Sequence, residues 1–84
     1  MKNKVLVQLQ VPELDETYDI FLPINVKIGT VLDLINKSLN EMTSGTFVIN
    51  NTRKLYNAGD SIPYKIDDLL RNTNIRNGSV IVLL

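Results

Sequence analysis

One stretch constrains the chain more than any other. From Thr30 to Met42 it reads TVLDLINKSLNEM. Wound at about 100° per residue, it gathers Val31, Leu32, Leu34, Ile35, Leu39 and Met42 on one broad arc. Asp33, Asn36, Lys37, Asn40 and Glu41 fall on the opposite arc. Ser38 lies inside the apolar arc, where a small side chain lets a neighbouring backbone come close. Gly29 and Thr30 are expected to stop the preceding chain and supply an N-cap hydroxyl, with Asp33 completing an imperfect capping box. Gly45 is expected to punctuate the C-terminal end. Asp33 and Lys37 make an i,i+4 pair worth roughly 0.3 kcal/mol. A helix with one wet and one dry face needs something flat to cover the dry one.

The rest of the chain supplies strands. Lys4 to Val11 alternates, with Val5, Val7, Leu9 and Val11 on one face and Leu6, Gln8 and Gln10 on the other. Pro12 ends it, and Glu13 to Glu16 reads as a turn. Tyr18, Ile20 and Leu22 then alternate with Asp19 and Phe21 until Pro23, completing an antiparallel hairpin. Ile24 to Ile28 crosses over into the helix, with Ile28 tucked under its first turn. Thr46 to Asn50 and Arg53 to Tyr56 are expected to be short strands. Asn57 to Asp60 reads as a turn, and Ile62 before Pro63 as extended backbone. Asp67 is expected to cap one helical turn running to Arg71. Asn77-Gly78 is a tight turn before a final strand, Ser79 to Leu84. That strand is apolar on both faces, which suits the interior of a sheet.

This order predicts an α+β fold, a β-grasp: a mixed sheet of four to five strands packed on one central helix. The 84 residues are read as a single domain. Without cysteine, no disulfide, thiolate nucleophile or thiolate metal site can form; without histidine, the commonest general base is missing too. Nine basic and nine acidic residues cancel and are scattered, so no run tracks a phosphate backbone and no nucleic-acid partner is expected. The start, MKNKVLVQLQ, begins like a signal peptide, but its apolar run stops at Gln8. No membrane insertion is expected, and the reading is a cytoplasmic protein.

The spacing of Ile20, Leu22, Ile28, Val31 and Ile35, and later of Leu70, Ile75, Ile81 and Leu83, resembles the buried set of ubiquitin. Thr17 to Pro23 (TYDIFLP), Ile28, Val31 to Leu39 and Ile75 to Leu84 are more closely similar to the small ubiquitin-like accessory proteins of bacterial type VII secretion systems, the YukD-like family. The resemblance implies a cytoplasmic, non-catalytic adaptor that docks near the secretion ATPase and membrane subunits. It implies no cofactor. Two alternatives stay open: a ubiquitin-fold interaction module unrelated to secretion, and a carrier or modifier. The last needs a flexible tail ending in two glycines, whereas this sequence ends Val82-Leu83-Leu84, so conjugation is not expected.

Most polar features have an ordinary structural reading. Asp15-Glu16 and Asp67-Asp68 are the adjacent acid pairs; each lies near a turn, with neither EF-hand spacing nor a third carboxylate, so neither a metal site nor catalysis is expected. Gly59 to Ser61 and Asn77 to Ser79 read as turns, and Tyr56 and Tyr64 as rings packed against the core. The outer sheet face is different. If Val5, Val7, Leu9, Ile20, Leu22, Ile81 and Leu83 face the helix, Leu6, Phe21, Val80, Val82 and Leu84 face away. Several apolar side chains on adjacent strands make a patch of the kind that binds partners. These five are the candidate partner-binding residues, for another protein or for a second copy in a homodimer.

Overall fold

The computed structural model describes residues 3–84. Met1 and Lys2, the start of the run read for a signal peptide, lie outside the described residues. The hairpin forms as its alternation demands. Strand β1 (Lys4–Val11) pairs antiparallel with β2 (Glu16–Pro23), from Lys4 opposite Pro23 to Val11 opposite Glu16. A 3-10 turn at Pro12–Leu14 joins them, closed by Asp15 at φ 53°. Helix α1 (Ile28–Met42) follows, then β3 (Leu55–Asn57), a 3-10 turn at Leu70–Asn72, and β4 (Val80–Leu83). The sheet order is β2-β1-β4-β3, with β1 and β4 parallel and the other pairs antiparallel. The doubly apolar last strand is thus an interior strand, and the Asn77-Gly78 turn leads into it with Gly78 at φ +86°.

Parity along the strands decides which side chains meet the helix. Val7, Leu9, Val11, Leu22, Ile81 and Leu83 are buried on the helix side. Val31, Leu32, Ile35 and Leu39 come down from α1 to meet them, and Ile28 is fully buried at the helix's first residue. Leu55 of β3 joins them, and Phe47, Leu70 and Ile75 close the core from the connecting segments.

Both ends of the helix are finished by backbone. The expected Thr30 cap does not form: the cap position falls three residues earlier, at Lys27, with no side-chain cap bond, and α1 begins at Ile28. Instead the Ile28 N–H donates to the Asp68 carbonyl and the Gly29 N–H to the Ile66 carbonyl, each at 2.9 Å. A Cβ on Gly29 would lie 3.4 Å from that Ile66 carbonyl, an ordinary van der Waals contact, so the approach does not itself require glycine. The segment after β3 is held there by Leu70 N–H to the Val26 carbonyl (2.9 Å) and Arg71 N–H to the Ile24 carbonyl (3.0 Å). Its backbone therefore satisfies donors that a capping side chain otherwise takes. At the other end, Ser44 at φ 53° donates to the Glu41 carbonyl and Gly45 to the Asn40 carbonyl, a Schellman closure with serine in the left-handed position.

Three further expectations are corrected. Thr46 to Asn50 is not a strand. The Phe47 N–H donates to Thr43 Oγ1 (2.9 Å), and the Phe47 carbonyl accepts from Asn40 Nδ2 (3.0 Å). The helix end thus satisfies backbone groups that a neighbouring strand would need. Asp67 caps nothing helical, since the 3-10 turn starts after Leu69. The helix arcs are also shifted. Leu34 and Met42, assigned to the dry arc, are 47% and 62% exposed, and Ser38 is exposed beside them. Asn36, assigned to the wet arc, is 5% exposed.

Candidate protein-docking surfaces

The outer face of the sheet carries all five candidate residues. Leu6 and Phe21 are partners in the β1–β2 register, and both are substantially exposed, at 41% and 52%. Val80 lies opposite Gln8 and Val82 opposite Gln10, both half-buried, with Tyr56 on the far side of Val82. Leu84 is exposed and exchanges backbone hydrogen bonds with Lys54, 2.6 Å and 3.0 Å. Leu6 is anchored beside the last turn: its N–H donates to Asn77 Oδ1 (2.8 Å) and its carbonyl accepts from the Gly78 N–H (2.8 Å). By register, Phe21 and Leu6 lie together at one corner. A diagonal step leads through Val80 to Val82, Tyr56 and Leu84 at the other. Gln8 and Gln10 edge this stripe, so the apolar face is narrower than a full sheet.

A second surface was not legible as such in the sequence. Between β2 and α1 runs an apolar groove of about 460 Å³, walled by Tyr18, Ile20 and Leu22 on one side and by Leu34, Ser38 and Met42 on the other. Leu34, Ser38 and Met42 are spaced i, i+4, i+8 and form one ridge. Two signals pointed to it: an apolar arc wider than one sheet covers, and a serine in the middle of that arc.

The opposite flank of the helix holds a polar cluster. Arg53 is only 8% exposed. Its Nε donates to Glu13 Oε1 (3.3 Å) and its Nη2 to Glu13 Oε2 (2.9 Å), a two-point ion pair. Its Nη1 donates to Asn36 Oδ1 (3.0 Å) and to the Val48 carbonyl (2.6 Å), while the guanidinium carbon sits 3.7 Å from the Phe47 ring centroid. Asn36 in turn donates from Nδ2 to the Leu32 carbonyl (3.0 Å). No buried side-chain nitrogen or oxygen lacks a partner among the described residues. A shallow recess of about 670 Å³ beside this cluster is lined by mixed polar and apolar side chains, including Lys27, Asp33, Asn50 and Ile66.

The remaining sequence candidates fall into structural roles. Asp15, Glu16, Asp67 and Asp68 are exposed. Tyr64 packs on the core and donates from its hydroxyl to Asn74 Oδ1 (2.6 Å); burial, helped by the Asp60 carboxylate, pushes its phenol above the ordinary value. No group of three or more acidic, histidine or cysteine side chains is arranged to hold a metal among the described residues. No helix among them is long and apolar enough to cross a membrane.

The chain has the ubiquitin-like fold, an α+β β-grasp with one helix on a four-stranded mixed sheet. It superposes on the ubiquitin-like domain of the Mycobacterium tuberculosis type VII secretion system protein ECCD1 with a TM-score of 0.75 and 22% identity, over 96% of this chain and 97% of that one. It is similar to the N-terminal ubiquitin-like domain of the 4931431F19Rik protein, with a TM-score of 0.74 and 19% identity over 98% of this chain and 74% of that one. It is also similar to a chain of the ESX-5 inner membrane complex, with a TM-score of 0.72 and 16% identity; 98% of this chain aligns with 21% of that one. No protein-family model and no curated protein sequence matches the chain.

Proposed function

We propose that the protein is a non-catalytic adaptor in the cytoplasm that docks on a component of a type VII secretion machine through its outer sheet face. The observation that carries this reading is the exposed Leu6–Phe21 pair, apolar on both strands and not needed to seal the core. The structural likeness to ubiquitin-like domains of secretion-system proteins supports the choice of partner, the secretion ATPase or a membrane subunit. Docking would bury the stripe from Phe21 to Leu84 at roughly 25 cal/mol per Å² of apolar area, before association costs are subtracted.

The test couples folding with capture. Phe21→Asp and Val82→Lys place charge on a face that water already reaches, so each should melt within a few degrees of the wild type. Each should weaken capture of the purified cytoplasmic portions of the host's secretion ATPase and membrane subunits by about 1 kcal/mol or more. Normal folding with undiminished capture would refute the outer face as the interface. Absence of capture by the wild-type protein would refute the partner.

A further inference from the structure

The two edges of the sheet are treated differently. Strand β3 is three residues long, and the chain folds back over it: the Tyr64 N–H donates to the Leu55 carbonyl (2.8 Å), and Tyr56 bridges to Pro63. Strand β2 is eight residues long and terminates the sheet, with no strand beside it among the described residues. Which of its backbone groups are free follows from β1. The Leu6 carbonyl and the Gln8 N–H both bond towards β4, so even-numbered β1 residues face β4 and odd-numbered ones face β2. Their partners Tyr18, Ile20 and Leu22 thus complete the ladder, leaving the N–H and C=O groups of Thr17, Asp19 and Phe21 directed outward. Long edges are ordinarily blunted by proline, lysine or a bulge. Here proline comes only at the last position, Pro23.

This free ladder runs along the apolar groove between β2 and α1. A strand laid against β2 would point alternate side chains into that groove, onto Leu34, Ser38 and Met42, and the intervening ones outward beside Asp19. Charge selects the second set. The chain as a whole is neutral, yet β2 carries no base: Asp19 stands on the outer face, and Glu16 shares the helix-side parity of Tyr18, Ile20 and Leu22. Both are exposed, and neither forms an ion pair among the described residues; on the helix, Lys37 and Glu41 offset each other. We propose that the β2 edge and its groove bind an extended segment of a partner protein in which apolar residues alternate with basic ones. The segment pairs as a fifth strand, with its apolar side chains in the groove and its bases on Asp19.

Two short synthetic peptides test this, one alternating isoleucine with lysine and one alternating isoleucine with glutamate, each titrated into the isotopically labelled full chain. The lysine peptide should shift the backbone amides of Thr17, Asp19 and Phe21 and the helix signals of Leu34 and Met42. It should bind at least about tenfold more tightly than its twin at low salt. Asp19→Lys, a change at an exposed position, should reverse that preference, and Ser38→Trp should fill the groove and abolish binding by either peptide while leaving the melt unchanged. Equal binding of the two peptides, shifts confined to other surfaces, or a preference that Asp19→Lys does not reverse would overturn the proposal. So would sedimentation showing that a second copy of the chain already covers this edge.

Discussion

The two flanks of helix α1 contradict the usual link between polarity and burial. On one flank a polar residue, Asn36, is sealed beneath Arg53, Phe47 and the irregular segment that follows the helix. On the other, two large apolar residues, Leu34 and Met42, stand in water beside the sheet edge. What differs is the chain available to cover each. The sheet ends at β2, so none of the described residues forms a strand over the Leu34–Ser38–Met42 ridge. The segment from Thr43 to Lys54 must return to the sheet along the Asn36 side, and it brings its own hydrogen-bond partners. Burial of a polar group is tolerable only with such partners. A flank can therefore be closed by a network as well as by apolar contact.

The strongest test of this contrast is the residue between the flanks. Ile35 is buried against the sheet, and Ile35→Asp would leave an ionised group there without a counter-charge. A domain this small has on the order of 5 kcal/mol of net stability, so circular dichroism should show the variant unfolded or molten. A cooperative melt near the wild-type temperature would mean that the helix packs in another phase.

Arg53→Leu should come next. It leaves Asn36 Oδ1 and the Val48 carbonyl without their donor and removes the cation from the Phe47 ring. Because the Glu13 carboxylate is 57% exposed, its share of the loss is screened by solvent. Urea unfolding should show a loss of about 2 to 3 kcal/mol. Asn36→Leu keeps the arginine and Glu13 but strands one Nη1 donor, and should lose about 1 to 2 kcal/mol. If either polar variant is as stable as the wild type, the network does not hold that flank closed.

The smallest effect belongs to the open flank. Leu34→Gln and Met42→Gln replace side chains that water already reaches, so each should change stability by under about 0.5 kcal/mol. Leu34 lies one residue from Ile35, a turn of about 100° that carries it from the face covered by the sheet to the open flank. A loss at Leu34 comparable to the loss at Arg53 would mean that the groove is packed shut in solution.

Periodicity alone determined a good deal of this protein. The alternation of Val5 to Val11 and of Tyr18 to Leu22 gave both strands and their facing, because a strand's side-chain period is two and one face must be dry. The doubly apolar Val80 to Leu83 gave its own place inside the sheet, because only an interior strand between a helix and an apolar outer stripe has use for both faces. The outward position of Leu6, Phe21, Val80, Val82 and Leu84 followed from the same parity. Tertiary structure decided everything that depends on partners distant in sequence. The helix N-terminus was read at Thr30 because a capping hydroxyl is a local signal, but the donors went to carbonyls of Ile66 and Asp68, some forty residues away. Thr46 to Asn50 had strand composition, yet side chains at the helix end took its backbone groups first. The Arg53–Glu13–Asn36 cluster joins three separate segments, and no periodic pattern encodes such a meeting. The groove exists for the same reason: an apolar arc says which residues prefer burial, but only the extent of the sheet decides which of them are covered.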